Sequence, residues 1–332
     1  MPDAASQEIA RVLVTGATGF VGRHVCQALI EKRVPVRAVV RSRHKAEMLL
    51  PSQCELAYID HVNGDTDWSE ALQGVNAVVH LAARVHVMLD RASDPLAQYR
   101  QVNTEGMRRL AEMAAASGVD KFVYMSTIKV NGESTFEGRV FTIDDVPHPQ
   151  DPYAGSKWEA EQLLHRIAGS SGLKTTVLRP PLIYGPGVGA NFLALMRLVD
   201  RGVPLPLGAV RNRRSVLYVG NLVDAVLACL ESSKANGQTF LLDDGEPVST
   251  AALINSMATH LGRSPRLLPV PVPLLRLGGR LSGKSAVIER LVGSLAVDSQ
   301  PIRRRLGWSP PYSMDEAMRP TMAWYKQHKR SA

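Results

Sequence analysis

Short, nearly continuous apolar runs alternate with amphipathic stretches through the first 180 residues of the chain. Runs rich in β-branched residues at 12–14, 36–40, 56–59, 77–80, 122–126 and 175–178 predict strands. Apolar positions at helical spacing predict helices over 21–31, 103–116 and 153–168. Strands and helices alternating at this interval predict a parallel sheet with helices on both faces, and the unbroken apolarity of the strands implies burial on both sides. The character changes after Arg179. Prolines and glycines crowd 180–189 and 203–208, helices are predicted over 221–231 and 251–260, and 267–281 is too irregular for a regular element. No internal repeat is found. The chain therefore reads as α/β: a doubly wound parallel sheet over residues 1–180, with later strands and helices returning to it around 215–242. A smaller, mostly helical C-terminal domain over 181–332 is expected to close over the sheet's carboxyl edge.

At 332 residues the chain exceeds the ~250–300 that one hydrophobic core usually spans, which suits that division. Lysine and arginine outnumber aspartate and glutamate 39 to 31, giving +8. The bases are scattered and aromatics make up 5%, which speaks against a nucleic-acid face and leaves a basic cleft for an anionic small molecule. No apolar run approaches the ~18 residues of a membrane span. The polar stretch from Met1 to Ala10 lacks the order of a signal peptide, so a cytoplasmic protein without a membrane span is expected. Cys26, Cys54 and Cys229 match no metal spacing, which predicts buried thiols and no metal.

The first predicted strand runs into Thr15-Gly16-Ala17-Thr18-Gly19-Phe20-Val21-Gly22, and a helix follows at once. Gly16 permits a tight turn, Gly19 lets the backbone approach a pyrophosphate, and Gly22 lets the helix pack closely on the strand. The helix N-terminus then faces the phosphates. The spacing is G-x-x-G-x-x-G, and its place between the first strand and first helix points to a dinucleotide. An acidic residue at the end of the second strand would hold NAD through its ribose hydroxyls. Here Arg41-Ser42-Arg43-His44-Lys45 follows instead. A guanidinium suits a 2′-phosphate, so NADP(H) is expected before NAD(H), with Arg41 as its contact. Asp60, after the third strand, is placed to accept from the adenine amine.

Asp151-Pro152-Tyr153-Ala154-Gly155-Ser156-Lys157 opens a helix, with Asp151 as N-cap and Pro152 first in the helix. Tyr153 and Lys157, four apart, share one face. A free tyrosine, with a pKa of ~10, is a poor acid or base at neutral pH, but a nearby ammonium stabilises its phenolate and is expected to bring it into range.

With these residues in place, the chain resembles the extended short-chain dehydrogenase/reductase family of sugar-nucleotide epimerases, dehydratases and reductases, from Arg11 to Tyr325. Further matches are His80-Leu81-Ala82-Ala83, Asn103 within Val102-Asn103-Thr104-Glu105-Gly106, Ser126-Thr127-Ile128-Lys129, and Arg179-Pro180-Pro181-Leu182-Ile183-Tyr184-Gly185-Pro186-Gly187. The resemblance implies a Rossmann cofactor domain in which Leu81, Ala82, Ala83, Asn103 and Pro180 join the glycine loop, Tyr153 and Lys157 around the dinucleotide. It implies that Thr127 hydrogen-bonds the reacting sugar oxygen, that Tyr153 exchanges a proton with it, and that Lys157 holds the cofactor ribose and tunes Tyr153. The family's dehydratases carry Asp-Glu after the threonine. Here Ile128 and Lys129 stand there, against dehydration.

On the substrate side, Asn191 resembles the position where an asparagine contacts the nucleotide diphosphate. Arg214, with Arg213 next to it, resembles the family's phosphate-binding arginine. Arg84, His86 and Met88 are candidates to face the hexose. Three segments, 84–88, 212–214 and 293–299, are similar to the UDP-sugar 4-epimerase-like branch that includes UDP-4-keto-6-deoxy-N-acetylglucosamine 4-reductases, which form UDP-N-acetylquinovosamine for surface polysaccharides. Arg41 without an acidic partner favours such a 4-reductase over a UDP-glucose or UDP-N-acetylglucosamine 4-epimerase with tightly bound NAD. A non-catalytic NADP-sensing regulator would not need Thr127, Tyr153 and Lys157 together. The resemblance also implies a homodimer through helices near 94–116 and 153–168.

Overall fold

The computed structural model of the protein describes residues 9–85, 94–136 and 138–329. Seven strands form one parallel sheet: β1 (Val12–Thr15), β2 (Val36–Val40), β3 (Glu55–Tyr58), β4 (Ala77–His80), β5 (Lys121–Met125), β6 (Lys174–Arg179) and β9 (Gln238–Leu241). Their order is β3-β2-β1-β4-β5-β6-β9. Strands β1, β2 and β4 are buried along their whole length, which accounts for their lack of alternation. Between β6 and β9 the chain leaves the sheet to form a separate two-stranded parallel pair, β7 (Leu182–Tyr184) with β8 (Val216–Tyr218).

The helices are α1 (Phe20–Glu31), α2 (Arg43–Leu49), α3 (Pro95–Tyr99), α4 (Gly106–Ala116), α5 (Pro152–Ser171), α6 (Ala190–Asp200), α7 (Val219–Glu231), α8 (Thr250–Leu261), α9 (Val272–Leu281), α10 (Ser285–Val292), α11 (Gln300–Leu306) and α12 (Met314–His328). One apolar cluster, around Phe122, Leu110, Trp68 and Leu164, fills the face under α4 and α5. A second holds Val25 and Leu29 of α1 against α7 and runs on into Met257, Ile302 and Met322 of the C-terminal helices, and a small third joins Ile128, Leu241, Leu295 and Val297.

The segment over 267–281, irregular by sequence, contains helix α9. Pro271 precedes it as N-cap and Pro273 lies in its first turn, where a missing N–H costs nothing. The helix predicted over 103–116 begins as a π-helix, Arg100–Glu105, before α4. Among the described residues no helix is long and apolar enough to cross a membrane.

The order 3-2-1-4 reverses between β1 and β4, so their carboxyl ends open a crevice at a topological switch point. Thr15 and His80 are register partners at those two ends.

Candidate active site

Thr15 builds the floor of this crevice. Its Oγ1 accepts from the backbone N–H groups of Leu81 and Ala82, both at 3.2 Å, and lies 2.8 Å from His80 Nδ1. With both lone pairs used, the hydroxyl donates to Nδ1, which fixes His80 as the Nε2–H tautomer. Burial lowers the His80 pKa to about 3, helped by the Lys157 ammonium, so the ring is neutral at working pH.

This joint presses the loop after β4 onto the glycine turn. Gly16 has φ +67°, and a Cβ there would lie 2.8 Å from Ala82 N. A Cβ on Gly22 would lie 2.2 Å from Gly16 O. Helix α1 starts with no side-chain cap, so its first N–H groups are left for a ligand. The cleft above measures ≈1280 Å3, and its walls include Gly16, Thr18, Gly19, Phe20, Val21, Gly22, Arg41, Asp60, Leu81, Ala82, Ala83 and Arg84. Close-packed glycines and an uncapped helix start fit a dinucleotide pyrophosphate. At the far rim, Ile59 N donates to Val40 O at 3.1 Å, bringing the ends of β2 and β3, and so Arg41 and Asp60, to one edge. Arg43 is paired with Glu47 at 2.8 Å, whereas Arg41 is exposed and has no carboxylate partner among the described residues. Among the described residues no cluster of His, Cys, Asp or Glu is set to hold a metal, and all three cysteines are buried.

Asn103 is 1% exposed. Its Nδ2 donates to Arg84 O and Ser156 Oγ, each at 3.0 Å, and its Oδ1 accepts from Arg84 N at 2.8 Å. Ser156 Oγ donates in turn to Tyr153 O at 2.7 Å. Both amide hydrogens of Asn103 are thus spent inside the protein, strapping the loop after β4 to the first turn of α5. The π-helix aims the side chain at this strap.

The chemistry-bearing residues lie on β5's exit and on α5. Asp151 Oδ1 caps α5 by accepting from Ala154 N at 2.7 Å. Tyr153 is half-buried, with its ring edge-on to Tyr99 at 6.1 Å. Lys157 is 2% exposed. Its Nζ donates to Met125 O at 2.8 Å and sits 4.6 Å from the centre of the Tyr124 ring. Burial lowers the Lys157 pKa to about 7, opposed by the Glu161 carboxylate. The Tyr153 pKa is raised, first by burial, then by the Asp151 carboxylate and Tyr99. The expected lowering of the phenol by Lys157 is therefore not a property of the chain by itself, because the ammonium is engaged with Met125 and Tyr124.

Thr127 is 9% exposed and caps the 3₁₀ turn Ile128–Val130, accepting from Lys129 N at 3.3 Å. Pro180 O accepts from Ile128 N at 3.0 Å, which seats the β6 exit beside Thr127. Lys129 Nζ donates to Asp151 at 2.6 Å and Glu133 at 2.8 Å, and Ile128 is buried. The two positions directly after Thr127 thus carry no carboxylate.

Sequence reasoning missed a buried network behind Lys157. Glu161, fully buried one turn on, accepts from Arg179 Nη2 at 2.6 Å and Nε at 3.0 Å, and from Ser126 Oγ. Arg179 Nη1 also donates to Asn131 Oδ1 at 2.9 Å. The available signal was a glutamate four residues after Lys157 on the same face.

On the substrate side, Asn191 is exposed at the start of α6. Arg213 is exposed, while Arg214 is half-buried and donates to Gly293 O at 3.1 Å. Burial lowers the Arg214 pKa. The Arg84 guanidinium lies 5.5 Å over the Tyr99 ring. His86 and Met88 lie outside the described residues.

A model of the NAD dependent epimerase/dehydratase family matches residues 12–242. A UDP-glucose 4-epimerase of Vibrio cholerae is 41% identical over 319 residues, covering 95% of each chain. A crystal structure of a UDP-glucuronic acid 4-epimerase from Bacillus cereus in complex with NAD is similar, with a TM-score of 0.76 at 23% identity, covering 96% of this chain and 99% of that one. A Thermotoga maritima UDP-glucose 4-epimerase with UDP-glucose superposes with a TM-score of 0.75 at 24% identity, with coverage of 96% and 99%. At these identities the two structures speak for the fold.

Proposed function

Because the chain belongs to the NAD-dependent epimerase/dehydratase family, we propose that it is an NAD(P)-dependent oxidoreductase acting at C4 of a UDP-linked hexose, and specifically a UDP-4-keto-6-deoxy-N-acetylhexosamine 4-reductase of surface-polysaccharide synthesis. The observation that carries the choice of reductase is Arg41, exposed at the carboxyl end of β2 and without a carboxylate partner among the described residues, where a ribose-binding acid would otherwise stand. This favours NADPH, a cofactor that a reductase consumes and must exchange.

A bound dinucleotide supplies the hydride. Tyr153 donates its proton to the C4 oxygen as that oxygen gains charge. A phenol that keeps its proton at neutral pH, as burial makes Tyr153 do, is set for donation. The Thr127 hydroxyl holds the same oxygen, and the Lys157 ammonium holds the ribose and stabilises the phenolate left behind. Ile128 and Lys129 supply no acid–base pair for water loss, which sets dehydration aside. Arg213 and Arg214, with Asn191, take the diphosphate. The protein works as a homodimer through α4 and α5, and a monomeric mass by light scattering at micromolar protein would refute that assembly.

The 41% identical V. cholerae relative favours a second reading, a UDP-hexose 4-epimerase that retains NAD. Denaturing the purified protein and identifying the released nucleotide separates the two. The reductase reading expects little nucleotide, tighter binding of NADPH than NADH on titration, and loss of that preference in Arg41→Ala. Stoichiometric NAD release with no response to Arg41→Ala overturns it in favour of the epimerase.

A further inference from the structure

The helical hairpin of α9 and α10 carries an apolar surface that the fold leaves in water. Its inner side is well packed: a Cβ on Gly279 would lie 2.8 Å from Ile288 Cγ1, and Leu275 and Val292 are buried. On α9, Leu274, Leu277 and Leu281 recur at i, i+3 and i+7, on the side away from Leu275 and Gly279. They are 57%, 51% and 82% exposed. Leu268 before α9 and Val287 on α10 are also half exposed. Among the described residues no other helix opens three large aliphatic side chains on one stripe to solvent. Such a stripe marks a surface that is covered in use.

Charge indicates what covers it. From 263 to 292 the chain carries six cationic side chains against one carboxylate, Glu289. Glu289 is taken by Arg276 at 2.8 Å, and Arg263 pairs with Asp200 at 3.3 Å. Arg266, Arg280, Lys284 and Arg290 have no carboxylate within ion-pair distance among the described residues. Leucines flanked by uncompensated cations on a short helix form the pattern of an interfacial helix on anionic lipid. A second copy of the chain would set the same cations against each other, which disfavours a two-fold contact here.

We propose that the α9–α10 hairpin docks on the surface of an anionic phospholipid bilayer, with the leucines in the headgroup region and Arg280 and Lys284 on lipid phosphates. The end of α10 is stitched to the loop bearing Arg213 and Arg214: Asn212 Nδ2 donates to Leu291 O at 3.1 Å and to Gly293 O at 2.8 Å. Docking therefore holds the Arg213–Arg214 side of the molecule near the bilayer.

The test is co-sedimentation of the full chain with phosphatidylglycerol-containing vesicles and with pure phosphatidylcholine vesicles. Binding is expected to the anionic vesicles, weaker by about tenfold or more to the neutral ones, and falling as salt rises. Leu274→Glu/Leu281→Glu, both at exposed positions, should lower binding by about tenfold with the melting temperature and dinucleotide affinity unchanged. Arg280→Glu/Lys284→Glu should do the same, without touching an apolar contact. The proposal is overturned by absence of binding to anionic vesicles, by equal binding to both vesicle types, or by variants that sediment like the parent. A change in solution mass by light scattering in the leucine variant also overturns it, because the face then seats another copy.

Discussion

Burial acts in opposite directions on Tyr153 and Lys157 of α5. It holds the proton on Tyr153 and loosens the one on Lys157, whose pKa falls to about 7. Removing the Tyr153 hydroxyl in Tyr153→Phe deletes the proton donor but little packing. Turnover of a 4-keto sugar nucleotide is expected to fall by ~10²–10⁴-fold, with dinucleotide affinity nearly unchanged. Full retained activity would assign the protein to a sensing role instead. Lys157 makes a separate prediction about stability. Its pKa lies below that of the unfolded lysine, so between about 7 and 10.5 the unfolded chain binds the extra proton. Stability contributed at this site is complete above 10.5 and is lost as pH falls towards 7. Urea midpoints of the parent minus those of Lys157→Met should therefore rise with pH across that window. A flat difference would mean that Lys157 stays charged in the folded protein.

At the scale of elements, the joint between β1 and β4 decides whether the glycine turn is in place. Thr15→Val leaves the Ala82 N–H and His80 Nδ1 without a partner, at about 1–3 kcal/mol each, while the Leu81 N–H keeps the backbone carbonyl of residue 15 at 3.3 Å. The expected result is a melting temperature lower by several degrees and weakened dinucleotide binding together. His80 adds a pH signature. With a folded pKa of about 3, it contributes stability that is present above 6.5 and lost as pH falls towards 3. His80→Asn, which keeps an acceptor for the Thr15 hydroxyl, should flatten that acid limb in thermal melts from pH 7 to 4; an unchanged limb would place its origin elsewhere. The same scale explains what could be read from the chain. Buried parallel strands must be continuous apolar runs, so β1, β2 and β4 were legible within a residue. Strand β9 lies at the sheet edge and begins with the polar Gln238 and Thr239, and β7 and β8 are three residues each, so none gives a period. Prolines 271 and 273 with glycines 278 and 279 hid α9, although its fold tolerates each of them. The glycine loop and the Tyr153–Lys157 pair were legible because their spacing is local. The Glu161–Arg179–Asn131 network was not, because three separate segments build it.

For the whole molecule, the chain is held together by an apolar cluster that takes no notice of residue 180. Val12, Val25 and Val123 from the first half share it with Leu217, Met257, Ile302 and Met322 from the second. Helix α1 is also tied forward: Arg23 Nη2 donates to Pro186 O at 3.0 Å, and His24 Nε2 lies 3.0 Å from the same oxygen. Strand β9 completes the sheet by pairing with β6 through Thr176, Val177, Leu178 and Arg179. A fragment ending at 180 would leave β6 as an open edge and strip one face of the sheet of its partners, exposing apolar area at roughly 25 cal/mol per Å2. Folding is therefore expected to be one cooperative event in spite of the chain's length. Thermal unfolding followed by far-UV circular dichroism and by tryptophan fluorescence, with Trp308 and Trp324 in the C-terminal part and Trp68 under α4, should give coincident transitions. The fragment 1–180 should be insoluble or lack a cooperative melt. A fragment that melts cooperatively and binds a dinucleotide would show that the sheet stands without its C-terminal half, and that the shared cluster adds stability without being required for folding.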